Sequence, residues 1–186
     1  MDDMARRAFI KGASIGALAF SVGGVEVLLT PRQARAQGAA FKVLTPAEVE
    51  TLEAVGDTLA IGAREAGIAH FVDQQLTQPA PLALLSIRVS EARPPYVNFY
   101  RSALGAIARA AQAAEGRPLG DLDEAARIRF VAAMSRRELK SWDGPPQGIV
   151  YANLRNDAVD VVYGTVEGFA RVGVPYLPHI LPEQRW

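Results

Sequence analysis

Between residues 45 and 163 apolar side chains recur every three or four positions, and each run is bracketed by a capping residue or by Pro and Gly. That periodicity puts one stripe of each segment inward and predicts helices packed on a shared core. Thr45-Pro46-Ala47-Glu48 reads as a helix start: Thr45 caps, Pro46 suits the first turn and Glu48 completes a capping box. Val49, Leu52, Val55 and Leu59 follow at helical spacing, with Gly62 as the expected stop. A second helix carries Ile68, Phe71, Val72 and Leu76 and is closed by Pro79 and Pro81; the short apolar run Leu82 to Ile87 has no assignable type. Tyr96 to Glu115, with Tyr100, Leu104, Ile107 and Ala111 inward and Gly116 as stop, is the third. Asp121 and Glu124 announce a fourth, expected to run to about Trp142 with Ile128, Val131, Ser135, Leu139 and Trp142 on one face. Gln147 to Tyr163 is the fifth, with Val150, Leu154, Ala158 and Val161 inward. No alternating segment demands a strand. The expectation is an all-α fold: one helical domain over residues 37–163, about five helices, followed by an irregular arm over 164–186.

The first 36 residues read as an export signal rather than as part of that fold. Arg6-Arg7-x-Phe9-Ile10-Lys11 precedes an apolar stretch from Gly12 to Leu29, and Ala34-Arg35-Ala36 supplies small residues where a signal peptidase would cut, leaving Gln37 first. The segment resembles a twin-arginine signal, which implies passage through the twin-arginine translocase into the periplasm. Uncut, Gly12 to Leu29 is long enough to span a membrane as a helix, although its glycines, serines and Glu26 favour the export reading.

The 186-residue chain holds 20 basic and 20 acidic side chains, and removing 1–36 leaves 15 basic and 17 acidic. A near-neutral surface lacks the basic excess that nucleic-acid binding needs. There is no cysteine, which excludes disulfides, thiolate-bound clusters, covalent c-type haem and a thiol nucleophile within the chain. Nucleotide-binding glycine motifs, nucleophile elbows and His-Glu-x-x-His are also missing from the sequence. The two histidines are His70, with Asp73 three residues on, and His179 in the tail. His70 reads mainly as a helix-surface residue with a local carboxylate partner, and only secondarily as a general base. No catalytic, cofactor-binding or metal residue is therefore assigned. The acids Glu48, Glu50, Glu53 and Asp57 suit a helix N-terminus and a solvated face, and Arg136, Arg137 and Lys140 suit a wetted one.

The tail is the least ordinary stretch. Tyr163, Phe169 and Tyr176 lie among Gly164, Gly168, Gly173, Pro175 and Pro178. Such a sequence must pack on something, either its own helices or a partner, where aromatic anchors dominate binding.

Three segments together resemble a known family. They are Leu44-Thr45-Pro46-Ala47-Glu48-x-x-x-Leu52-Glu53-Ala54-x-x-Asp57, then Arg64-Glu65-Ala66-Gly67-Ile68-x-x-Phe71-Val72-Asp73-x-Gln75-Leu76, then Tyr163-Gly164-x-x-Glu167-Gly168-Phe169 with Gly173-Val174-Pro175. Behind a twin-arginine signal, they resemble the gluconate 2-dehydrogenase subunit 3 family over most of residues 44–176. The resemblance implies a small subunit that is not itself the catalyst. The FAD would sit in a large subunit of the glucose–methanol–choline type, often accompanied by a cytochrome c carrying haem. The small subunit would carry the export signal for both, and partner contacts are expected at Tyr163, Phe169, Pro175 and Tyr176. The other reading from the residues is a stand-alone exported binding protein or small enzyme, with a pocket near His70 and Tyr100.

Overall fold

The computed structural model describes residues 17–90 and 92–174. A hairpin, β1 (Leu18–Val22) and β2 (Val25–Leu29), leads into a short helix α1 (Pro31–Ala36). Then come α2 (Pro46–Leu59), α3 (Ala63–Ala66), α4 (Ile68–Leu76), α5 (Tyr96–Glu115), α6 (Glu124–Ser135), α7 (Gln147–Tyr163) and α8 (Val166–Arg171), with single 3-10 turns at Ala80–Leu82, Ser86–Val89 and Leu119–Asp121. The architecture is mostly helical, as the periodicity predicts.

Helix α2 is the hub and packs against α3, α4, α5, α6 and α7. Its start is the capping box read from the sequence: Thr45 Oγ1 accepts from the Glu48 N–H, and Glu48 reaches back to the Thr45 N–H at 2.7 Å. Removing the cap by Thr45→Ala is expected to cost about 1 kcal/mol, read as a lower urea midpoint with unchanged slope. Leu52, Val55, Ile68, Val72, Leu104, Ile107, Met134, Val150, Leu154 and Ala158 join in one continuous core. Fully burying one such aliphatic side chain contributes about 1.5–3 kcal/mol, so this shared interior carries most of the stability.

Several boundaries differ from the sequence reading. Helix α2 ends at Leu59, and Gly62 is instead the left-handed residue before α3. Asp123, not Asp121, caps α6 and accepts from the Ala126 N–H at 2.8 Å. Helix α6 stops at Ser135 rather than near Trp142, because the chain turns through left-handed Arg137 and Ser141. That turn is held by a Gln147 side chain clasped to both the N–H and C=O of Leu139, and by Trp142 Nε1 donating to the Pro145 carbonyl. The expected inward face of this helix is rotated: Ile128 is 51% exposed, while Ala126, Phe130 and Met134 are buried beside Val131.

The largest departures are at the two ends. Residues 18–29 form strands, neither a spanning helix nor a segment apart from the fold. Leu18, Phe20, Val22, Val27 and Leu29 alternate, and Gly23-Gly24 supplies the two positive φ angles of a two-residue hairpin turn. Cross-strand pairs Leu18–Leu29 and Phe20–Val27 share one face, which closes a second small core with Ala34 and Ala39. No helix among the described residues is long and apolar enough to cross a membrane. At the other end, the expected irregular arm contains α8, capped by Thr165 Oγ1 accepting from the Gly168 N–H at 3.0 Å.

Candidate functional site

The chemistry-bearing side chains are buried, and they fasten irregular backbone to helices. Asp157, one and two turns along α7 from Asn153 and Val150, is fully buried because α7 turns its inner stripe onto α4 and the Ser86–Val89 turn. Its Oδ1 accepts from the Ser86 N–H at 2.9 Å, and its Oδ2 accepts from the Tyr100 hydroxyl at 2.5 Å. Burial pushes the Asp157 carboxyl up to about 7, opposed by the two hydrogen bonds it accepts. Burial and the neighbouring Asp157 carboxylate likewise push the Tyr100 hydroxyl well up, so it stays a donor. Asn153 extends the same seam, with Oδ1 accepting from Ser90 and Nδ2 donating to the Ile149 carbonyl.

His70 is 5% exposed, so it is a core residue and not the surface histidine the sequence suggested. The phenyl ring of Phe41 lies 4.4 Å away and that of Phe20 lies 6.3 Å away edge-on. Its Nε2 meets the Ala39 carbonyl at 3.2 Å; a carbonyl only accepts, so Nε2 carries the proton. Nδ1 has no hydrogen-bond partner among the described residues. Burial lowers the imidazole pKa, with the Ala39 carbonyl, Glu53 and Asp73 opposing. Asp73 does not orient His70 as a catalytic carboxylate would. It accepts the N–H groups of Lys42, Val43 and Leu44, each at 2.8 Å, and pins the linker that leads into α2.

Four more of the charged candidates, Glu48, Glu53, Asp57 and Arg136, are held by neighbours too. Glu48 serves the cap and lies 3.7 Å from Arg101; Glu53 pairs with Arg35 and Arg64; Asp57 accepts from the Gly62 and Arg64 N–H groups. Arg136 pairs with Glu138 at 2.8 Å. Among the described residues, no group of three His, Asp or Glu side chains could hold a metal ion. A shallow cleft of about 370 Å³ is lined by Gln75, Leu76, Pro94, Pro95, Tyr96 and Val97. Neither His70 nor Tyr100 lines it.

Of the partner-contact residues named from the sequence, Tyr163 packs part-buried against the main core and Phe169 is half-buried on α8. Pro175, Tyr176 and His179 lie outside the described residues, as do Arg6, Arg7, Phe9 and Lys11 of the signal. What the sequence reading missed is an exposed apolar set around α8: Val166, Val172 and Val174, with Val159 on the preceding helix. Ile61, 79% exposed, stands next to Gly62, whose empty side faces the Arg171 guanidinium. Val166, Val172 and Val174 fall in the stretch expected to be irregular, whose residues Val166–Arg171 the structure shows as a helix.

The gluconate 2-dehydrogenase subunit 3 family model matches residues 33–179, well over half of the chain. The chain belongs to that family. Neither the curated proteins nor the solved structures contain a match. The family match spans every helix from α2 to α8 and most of α1, so it covers both the buried fastenings and the exposed C-terminal valines of this subunit 3 member. The family's name makes it a dehydrogenase subunit.

Proposed function

We propose that this chain is a non-catalytic small subunit that binds, stabilises and helps export a FAD-dependent sugar or alcohol dehydrogenase of the glucose–methanol–choline type. The observation that carries the reading is the family match together with the work its polar groups do. Tyr100, Asp157, His70 and Asp73 are committed to holding the fold. The flavin chemistry then belongs to the large subunit, and a cytochrome c subunit carrying haem is a further partner. The twin-arginine segment at Arg6, Arg7, Phe9 and Lys11 supplies the route to the periplasm for both. This route suits a flavoprotein that folds around FAD before it crosses the membrane.

The docking end is α8 together with the residues after it. Val166, Val172 and Val174 are exposed apolar side chains beside Tyr163 and Phe169, with Pro175 and Tyr176 next in sequence. Obligate subunit contacts of this apolar kind bury upwards of about 2,000 Å². The test is the paired substitution Val166→Asp and Val172→Asp. Both positions are exposed, so the stability of the subunit should stay within about 0.5 kcal/mol of the wild type. Capture of the flavoprotein by the tagged subunit should fall at least about tenfold, since a buried unpaired carboxylate in an interface costs more than about 1.4 kcal/mol. Undiminished capture would place the docking surface elsewhere.

A further inference from the structure

The bond expected to be cut, Ala36–Gln37, lies inside a folded helix end. Helix α1 opens on a capping box, with Thr30 and Gln33 satisfying each other's groups. It closes with two interlocked hydrogen bonds, Ala39 N–H to the Ala34 carbonyl at 2.9 Å and Gly38 N–H to the Arg35 carbonyl at 3.1 Å. Gly38, at φ +63°, takes the left-handed place this closure requires. The pattern is a Schellman cap, and Ala34 and Ala39 make its apolar contact. The Ala34 side chain, which a signal peptidase would read, is 0% exposed in the small core with Phe20 and Leu29.

The whole segment from β1 to α1 is seated on the domain. Ala40 N–H donates to the Ser21 carbonyl at 2.9 Å, so chain beyond the expected cut is bonded to β1. Lys42 pairs with Glu26 at 2.9 Å, again across the expected cut, and Arg35 lies 3.4 Å from Glu53 on α2. At Gly67 a side chain would come within 2.2 Å of the Pro31 carbonyl oxygen, so the backbone of α1 lies directly on that residue. The family match itself begins at residue 33, ahead of Gln37.

We propose that residues 17–36 are a permanent part of the folded subunit, because packing of α1 withdraws Ala34 and the Ala36–Gln37 bond from signal peptidase. Proteases take extended, accessible chain, and a folded segment is cut only through its open state. A twin-arginine substrate arrives folded, so α1 meets the peptidase already closed. That last step rests on the export reading under Proposed function; the protection itself does not. Losing 17–36 would also strip Phe20 from His70 and expose the α3–α4 face that α1 covers.

The experiment has two arms. The folded full chain and a synthetic peptide of residues 28–42 are incubated with purified signal peptidase in detergent micelles. The peptide should be cut after Ala36, and the chain at least about tenfold more slowly, the protection that about 1.4 kcal/mol of opening cost confers. Equal rates overturn the proposal, and so does a peptide that is never cut, because packing would then not be the cause. In the second arm the intact mass of the subunit is measured in the periplasmic fraction. A chain that contains residues 17–36 supports retention, and one that begins at Gln37 overturns it. Absence of the subunit from the periplasm would sink the export reading while leaving the first arm to decide retention.

Discussion

Replacing Asp157 by alanine is expected to destabilise the fold by roughly 2–4 kcal/mol, because the buried Tyr100 hydroxyl loses its acceptor at about 1–3 kcal/mol and the part-buried Ser86 N–H loses its own at about 1 kcal/mol. The donors are the Ser86 N–H and the Tyr100 hydroxyl, and the latter sits in a core where Tyr100 is 0% exposed. Asp157→Asn keeps an acceptor and the same volume, and should cost far less. The pair of variants also separates charge from packing through pH. The folded carboxyl is raised to about 7 from an ordinary 3.8. Between those values the folded state holds a proton that the unfolded chain has released, so the folded state binds more protons and stability falls as pH rises. The contribution is at its most favourable near pH 4 and is lost as pH climbs through 7, at up to about 1.4 kcal/mol per unit. His70 acts in the opposite sense. Its pKa is lowered, so the unfolded state takes up its proton first as pH falls below 6.5, and stability is lost on the acid side. The difference between wild type and Asp157→Asn, followed by urea unfolding from pH 5 to 8, removes the shared His70 contribution. That difference should shift steadily in favour of Asn as pH rises. A difference independent of pH would contradict the assignment.

The second large effect is expected at Asp73. Its carboxylate gathers three consecutive backbone N–H groups, those of Lys42, Val43 and Leu44. Asp73→Ala should cost about 3 kcal/mol, since charge-assisted bonds of this kind are each worth more than a neutral one and the Leu44 donor is left buried. The consequence reaches past stability. The pinned linker carries Ala39 and Phe41, which enclose His70, and joins the hairpin and α1 to the helical core. Hydrogen exchange should therefore speed up across residues 39–45 and α1 before it does in α5 or α7. Uniform acceleration over the whole domain would mean that Asp73 does not hold this linker specifically.

How far the sequence announces this fold depends on whether the signals are local. Helices α4, α5 and α7 follow their stripes and punctuation closely, because Gly116, Pro79 and the Gly144-Pro145-Pro146 turn act within a few residues of the helix ends. Helix α6 departs from its stripe because its ending is set by the Gln147 clasp on Leu139, a contact that periodicity cannot show. The hairpin is legible in principle: Val22-Gly23-Gly24-Val25 with apolar alternation on both sides is a hairpin pattern. The Arg-Arg pair ahead of it makes the same apolar residues read as an export segment. The fastening roles of Asp73 and Asp157 depend on partners 29 or more residues away, so a lone Asp in a helical stripe gives no warning. The family, by contrast, is visible in short local strings such as Thr45-Pro46-Ala47-Glu48 and Phe71-Val72-Asp73.

Docking of a flavoprotein is tested most directly by purifying the tagged full chain from its native host and recording what accompanies it. A second, larger polypeptide in fixed ratio, with flavin absorption and dehydrogenase activity that reside in it, is the predicted result. Haem bands in addition would mark the cytochrome subunit. A monodisperse lone subunit without flavin, or one that turns over a sugar or alcohol by itself, would contradict the account.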